Sequence, residues 1–322
     1  MLEVSMYLLR KPILALSRNH AVRDLISRAP VTRDVVQRFV AGETTADAVT
    51  AVRRLRSAGL QVTCDFLGED CTNAAQADAT VAGYLDLIDA LVDAGLVAGA
   101  ELSVKLSAVG QALPSGPDVP GGGEAYATAG ARKIVEAAYG AGARVTLDME
   151  DHRTVDSTLQ ILTGLRSDFP DVGVAIQAML LRTPQDLAEL TGPGSRVRLV
   201  KGAYDEPSSV AFAEPAEVDL AYVRALRVLM AGRGRPMVGS HDPRLIAIAE
   251  RLASDNGRAA DSWEYQMLYG IRPDEQSRLA ARGHPVRIYL PYGHDWYGYF
   301  TRRLAERPAN LMFFLRSFAS KK

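Results

Sequence analysis

Three stretches of this 322-residue chain place charge in or just beyond short apolar runs. "RLVKGAY" (198–204) carries Arg198 and Lys201 in what otherwise reads as a buried strand. In "ELSVKLS" (101–107), strand alternation groups Leu102, Val104 and Leu106 on one face and leaves Ser103, Lys105 and Ser107 on the other. "VTLDME" (145–150) repeats the pattern, with Thr146, Asp148 and Glu150 opposite Val145, Leu147 and Met149. If both strands line one interior, Lys105 and Asp148 meet there. Burying either charge alone is costly, so each needs a partner or a ligand. A structural ion pair meets that need as well as a substrate does, and the strands alone leave both readings open.

A fourth stretch, "RIYLPYGHDWYGYFTRRLAERPAN" (287–310), runs from a strand with Tyr289 on its inner face into a helix bearing Arg302, Arg303 and Glu306. Glu306 falls on the next helical turn from both arginines and can brace them. Adjacent arginines often decorate a solvated helix face. Their planar forks of donors also suit a carboxylate, and with Lys105 they suggest a small anionic substrate.

The elements that would position these groups alternate. Eight short apolar or alternating runs, at 61–69, 100–110, 143–150, 172–180, 196–204, 236–242, 262–270 and 286–293, are separated by stretches of helical periodicity ending near glycine. Strand and helix in alternation imply crossover connections and a parallel sheet, and eight units suggest a closed (β/α)8 barrel. Catalytic groups then gather at the carboxyl ends of the strands, and the helix of Arg302 and Arg303 lies over the barrel mouth. The rival is a doubly wound sheet. No G-x-G-x-x-G follows the first strand, and "GGG" (121–123) lies in "LPSGPDVPGGGEAY" (113–126), read as a loop with disorder as the alternative. Residues 1–60, including "AVRDLISRAP" and "TTADAVTAVRRLRSAGL", read as an N-terminal helical arm; the barrel is assigned to 61–310 and a tail to 311–322.

With 37 basic and 38 acidic residues, the chain has no electrostatic footprint for nucleic acid, and none is expected as a partner. Cys64 and Cys71 lack the spacing of a redox pair or a zinc site, which suits a reducing cytoplasm, and no metal is expected. Every apolar run is broken by charge before the roughly 18 residues of a membrane span. Glu3 and a broken apolar region argue against a secretory leader at the start. The tail "LMFFLRSFASKK" sets aromatics beside basic residues, which fits peripheral contact with a membrane or packing at a subunit interface. Trp296, Tyr297 and Tyr299 are read as core filling for the last helix.

Taken together, "RLVKGAY", "WEYQMLYGI" (263–271) and "YLPYGHDWYGYFTRRLAERPAN" (289–310), with "DFLGE", "SVKLS", "LDME" and "AIQA", resemble the proline dehydrogenase family in its bacterial single-activity form. The resemblance runs from about 61 to 310. It implies a barrel that holds FAD without a Rossmann domain. It also implies oxidation of L-proline at C5 by hydride transfer to flavin N5, giving Δ1-pyrroline-5-carboxylate, with a quinone as electron acceptor. A pyrroline-5-carboxylate dehydrogenase is the implied candidate partner, and a cytoplasmic site at the inner face of the membrane the implied location.

Residue by residue, the resemblance assigns the substrate carboxylate to Lys105, Arg302 and Arg303, and the walls of the ring pocket to Tyr289, Tyr204 and Leu199. Asp148 orients Tyr289, and Glu69 closes a gate with an arginine. Arg198 faces the reactive edge of the flavin and Lys201 its phosphates or ribityl chain. Gln177, Val200, Gly202, Ala203, His241 and Glu306 complete the cofactor side, with Glu306 also bracing the arginines. Glu264 and Gln266 are further polar candidates. Tyr289 matches the proline-specific branch rather than the hydroxyproline-oxidising one. Asp205 stands where relatives often carry tryptophan or lysine, and 204–220 reads equally as a lid or a surface loop. Two other functions stay open: a barrel lyase or aldolase with Lys105 or Lys201 as Schiff-base nucleophile, and a non-catalytic interaction protein.

Overall fold

Eight parallel strands close on themselves in chain order: β1 (Gln61–Phe66), β2 (Glu101–Val104), β3 (Arg144–Leu147), β4 (Gly173–Gln177), β5 (Arg196–Val200), β6 (Arg235–Gly239), β7 (Glu264–Leu268) and β8 (Val286–Tyr292). The computed structural model in which they are seen describes residues 36–69 and 71–306, with the side chains of 304–306 outside that description. Each strand lies in its expected window, except that β6 starts one residue early.

Helices surround the sheet, α2 to α8 being the crossovers between strands: α1 (Thr45–Ser57), α2 (Ala74–Asp93), α3 (Gly123–Gly140), α4 (Val155–Arg166), α5 (Thr183–Ala188), α6 (Pro215–Ala231), α7 (Pro243–Asp255), α8 (Pro273–Ala281) and α9 (Trp296–Glu306). Alternation along the strands divides the molecule into two layers. Outward residues such as Val62, Leu102, Val104, Val145, Leu147, Val197 and Ile288 join one apolar cluster with the inner faces of the helices. On α2, for example, Ala77, Val81, Tyr84, Ile88 and Leu91 are buried at helical spacing. Helix α1, capped by Thr44 and Asp47, adds Ala48, Ala51, Val52 and Leu55 to the same cluster.

The interior is polar instead. Thr63, Asp65, Glu101, Ser103, Thr146, Asp148, Arg196, Arg198, Glu264, Gln266 and Arg287 are all buried. Near the amino ends of the strands, Glu101 pairs with Arg196 and with Arg198 at 3.1 Å, while Glu264 takes Arg287 at 2.8 Å and Arg235 at 3.0 Å. Such a floor requires matched charges, since each removed partner leaves its mate buried alone.

The loop reading of 113–126 needs correction at its end. Helix α3 begins at Gly123, where a Cβ would lie 2.4 Å from the Gln111 carbonyl, so the third glycine of the run opens a helix. The remainder is ordered by reciprocal backbone bonds between Gly116 and Val119.

Helix α9 follows β8 and buries Trp296, Tyr297, Tyr299 and Phe300 against Val36, Phe39, Val40, Leu67 and Ile271, with Leu268 and Tyr289 packed beneath. The expected packing role of its aromatics is what the structure shows. Among the described residues no helix is long and apolar enough to cross a membrane. The expected helix within 21–30 and the tail at 311–322 lie outside the described residues.

Candidate active site

Lys105 stands one residue past β2, and its ammonium is surrounded by acceptors from three other strands. Nζ lies 2.7 Å from Asp65 Oδ1, 3.2 Å from the Tyr289 hydroxyl and 3.4 Å from Asp148 Oδ2. Tyr289 in turn donates to Asp148 Oδ2 at 2.7 Å. Burial works against the Lys105 charge, but Asp65, Tyr289 and Asp148 more than offset it, and the ammonium is held well above its ordinary pKa. Asp148 is buried too, yet Lys105, Arg198 and the hydroxyls of Ser103 and Tyr289 keep its carboxyl below the usual range. The pairing of Lys105 with Asp148 expected from alternation is present. Asp65, the nearer acid, carried no signal beyond its place in "DFLGE".

Above this layer Arg302 reaches from α9 to Glu69, beyond β1, with both guanidinium nitrogens on the carboxylate. Arg303 is buried over the Tyr299 ring at 4.9 Å. Burial first, then the Glu69 and Glu150 carboxylates, push the Tyr204 hydroxyl up, while Arg302 and Lys105 oppose the rise.

Arg198 is buried at mid-barrel, donating to Asp148 at 2.5 Å, Ser103 at 2.8 Å, Gln266 at 2.5 Å and Glu101 at 3.1 Å. Toward the mouth, Gln177 spends its Nε2 on the Glu150 carbonyl, and its buried Oε1 has no hydrogen-bond partner among the described residues. That oxygen can accept from a ring N–H. Lys201 is about a third exposed and pairs with Asp219 and, at 3.4 Å, Asp242. His241 Nε2 accepts the Leu268 N–H at 2.8 Å, which puts the ring proton on Nδ1. Gly202 has φ +115, and a Cβ there would strike Met179 at 2.4 Å, so the Val200–Ala203 backbone takes its course at the cleft because this position has no side chain.

Some expected positions are not brought to the site. Leu199 alternates with Arg198 and Val200, so it faces outward and is wholly buried in the helix-side core, where it cannot wall a pocket inside the barrel. Leu268 stands beside Tyr289 in the β7–β8 register, both pack beneath the α9 cluster, and sequence reading gave it no role although "WEYQMLYGI" contains it. Glu264 belongs to the barrel floor rather than the mouth. The Glu306 side chain lies outside the described residues. The 204–220 segment divides. Its first part is tied down by Glu206, which accepts the His152 N–H at 2.9 Å, and by backbone bonds from Leu181 to Val210 and from Phe212 to Met179, both 2.9 Å; from Pro215 it is helix. These contacts tie its first part to the loops that follow β3 and β4.

Glu150 has a second consequence. Burial pushes its carboxyl up to about 7, against the hydrogen bonds it accepts from the Ser107 N–H at 3.0 Å and hydroxyl at 2.5 Å. A folded-state value above the unfolded one contributes stability below the unfolded pKa that is lost as pH rises through about 7. Glu150→Gln is therefore expected to flatten stability between about pH 5 and 8, and to be the more stable form at pH 8 by about 3 kcal/mol. Urea unfolding at both pH values checks this.

Comparison with known proteins agrees with this architecture. The family model described as proline dehydrogenase matches residues 48–316. "Proline dehydrogenase 1" of Bacillus subtilis (strain 168) is 36% identical over 314 residues, covering 98% of this chain and 100% of the relative. The "Proline dehydrogenase" of Deinococcus radiodurans is 38% identical over 308 residues, covering 95% and 96%. Among solved structures, proline utilization A (PutA) from Bdellovibrio bacteriovorus, inactivated by N-propargylglycine, superposes with a TM-score of 0.78 at 24% identity. That match covers 90% of this chain and 34% of the other, and shows a shared fold.

Proposed function

The chain belongs to the proline dehydrogenase family, whose activity is the first step of proline catabolism, and we propose the following assignment of its residues to that reaction. Lys105, Arg302 and Arg303 hold the carboxylate of L-proline, while Tyr289, Tyr204 and Leu268 enclose the ring. Asp148 fixes the Tyr289 hydroxyl and shares Lys105, so the pocket floor is set before substrate arrives. The Glu69–Arg302 pair closes the mouth over the substrate and excludes water.

The interior fits FAD. The partnerless Gln177 Oε1 is open to a ring N–H, Arg198 supplies a buried cation, and Lys201, His241 and the Val200–Gly202–Ala203 backbone lie toward the phosphate and ribityl side. When bound, FAD supplies at N5 the acceptor for the C5 hydride of proline, giving Δ1-pyrroline-5-carboxylate, and passes the electrons to a quinone. A separate pyrroline-5-carboxylate dehydrogenase then takes the product, and quinone reduction places the protein at the inner face of the membrane as a peripheral visitor.

One observation carries this reading: the Lys105 ammonium lies between two buried carboxylates, Asp65 and Asp148, which favour its charged form. A Schiff-base lysine must be neutral to attack a carbonyl, and these acids hold Lys105 in the opposite state. Protein reconstituted with FAD is expected to lose its oxidised-flavin absorbance when L-proline is added without an acceptor. Failure to retain flavin, or a spectrum indifferent to proline, overturns the assignment. Borohydride trapping of a lysine adduct with a carbonyl compound would support the lyase instead.

A further inference from the structure

Asp65, at the carboxyl end of β1, is wholly buried, and its two oxygens are unequal. Oδ1 accepts from Lys105 at 2.7 Å, whereas Oδ2 has no hydrogen-bond partner among the described residues. Lys105 thus serves two acids whose other resources differ. Asp148 also has Arg198 at 2.5 Å, the Ser103 hydroxyl at 2.7 Å and the Tyr289 hydroxyl at 2.7 Å. For Asp65, Lys105 is the one ion-pair partner among the described residues. The titratable groups around it are Lys105 just past β2, Asp148 just past β3, Arg198 from β5, Tyr289 and Tyr292 from β8, Tyr84 from α2 and the neighbouring Cys64 on β1 itself.

When a ligand carboxylate settles on Lys105, Asp148 keeps Arg198, and Asp65 becomes the acid with no cation of its own. A buried carboxylate in that position neutralises itself rather than bear the cost of desolvation. Burial and the nearby Asp148 already raise the Asp65 carboxyl, with Lys105 and, more weakly, the Tyr289 hydroxyl opposing them. The geometry points to Asp65 as the group that takes up a proton when the substrate carboxylate reaches Lys105, tying substrate binding to pH. An O–H bond forms at Oδ2 as the matching bond to hydrogen in a hydronium ion or buffer acid breaks, and no bond of the ligand changes. The inference rests on Lys105 being the carboxylate holder.

The test uses the FAD-loaded enzyme and tetrahydrofuran-2-carboxylate, which carries the carboxylate but a ring oxygen in place of the titrating amine. Calorimetry at one pH in two buffers of different ionisation enthalpy is expected to show uptake approaching one proton per ligand bound. Kd should rise with pH, by up to about tenfold per unit, across the range in which Asp65 ionises. Asp65→Asn keeps an acceptor for Lys105 and should abolish both the uptake and the slope, while Glu150→Gln should retain them. No uptake by the wild type overturns the inference, as does a slope that persists in Asp65→Asn or vanishes in Glu150→Gln. If Asp65→Asn does not fold, the wild-type and Glu150→Gln measurements still decide. Ligand affinity unchanged in Lys105→Met would sink the premise and the inference with it, whereas weak binding in that variant combined with no wild-type uptake sinks the inference alone.

Discussion

Lys105→Met is expected to lower kcat/KM for L-proline about 10³-fold, equivalent to about 4 kcal/mol, chiefly through KM. Lys105 is the most deeply buried of the three cations assigned to the carboxylate, so its charge acts in a dry, low-dielectric setting where solvent screens little. Arg302 and Arg303 remain, which keeps some binding. Flavin should stay bound, because the cofactor contacts come from β4 to β6 and not from β2. The loss of stability should be smaller than for most broken buried pairs, since Asp65 can take a proton once its cation is gone. Steady-state kinetics, flavin absorbance and a melting curve on one preparation separate these effects. Equal loss of flavin and of turnover would show that Lys105 supports the cofactor and not the substrate.

Glu101→Ala is expected to be the most damaging single change to the fold, at about 3–5 kcal/mol or more. Glu101 is fully buried and is the common anion for Arg196 and Arg198, with Arg287 at 3.8 Å and hydrogen bonds from Thr146 at 2.8 Å and Thr63 at 3.3 Å. Its removal leaves several guanidinium groups in the barrel with one anion fewer. Against a typical total stability of about 5–15 kcal/mol, that is enough to make the variant marginal. Burial opposes the Glu101 charge, but Arg196, Arg287 and Arg198 prevail and hold its carboxyl below the ordinary range. A depressed folded-state pKa gives stability that is present above the unfolded value and is lost as pH falls through the folded one. Acid should therefore weaken the wild type below about pH 4.3. Glu101→Gln, already weaker at pH 7, should lose less of its remaining stability on acidification. Urea titrations at pH 7 and in acid, on both proteins, check the two parts together.

The damage from Glu101→Ala would also reach the site, because Arg198 bridges Glu101 to Asp148. Arg198 is therefore a structural link in the barrel, whatever it also does toward a ligand. Seen as a cation in an apolar strand, it suggested a ligand; its neighbours show that it also joins the barrel floor to the pocket.

Leu199 and Leu268 show how the reading went astray and how it could have been kept right. Alternation alone puts Leu199 opposite Arg198, but the resemblance of the whole motif drew it into the pocket. The same rule places Leu268 on the face of Glu264 and Gln266, which is where the structure has it. Period-two geometry is the stronger guide, since a residue cannot share the inward face with its immediate neighbour in a regular strand.

By itself the sequence determined the local geometry: eight strands at their places, helices between them, and polar side chains turned to one interior. These follow from backbone periodicity and hydrophobic burial over a few residues, which are written into neighbouring positions. Only the tertiary structure decided which charges meet. Lys105 chooses Asp65, 40 residues away, and touches Tyr289, 184 away, because barrel closure and strand register bring those positions together. Nothing in the spacing along the chain encodes those distances, so the balance of charge around Lys105 became visible only when the sheet closed.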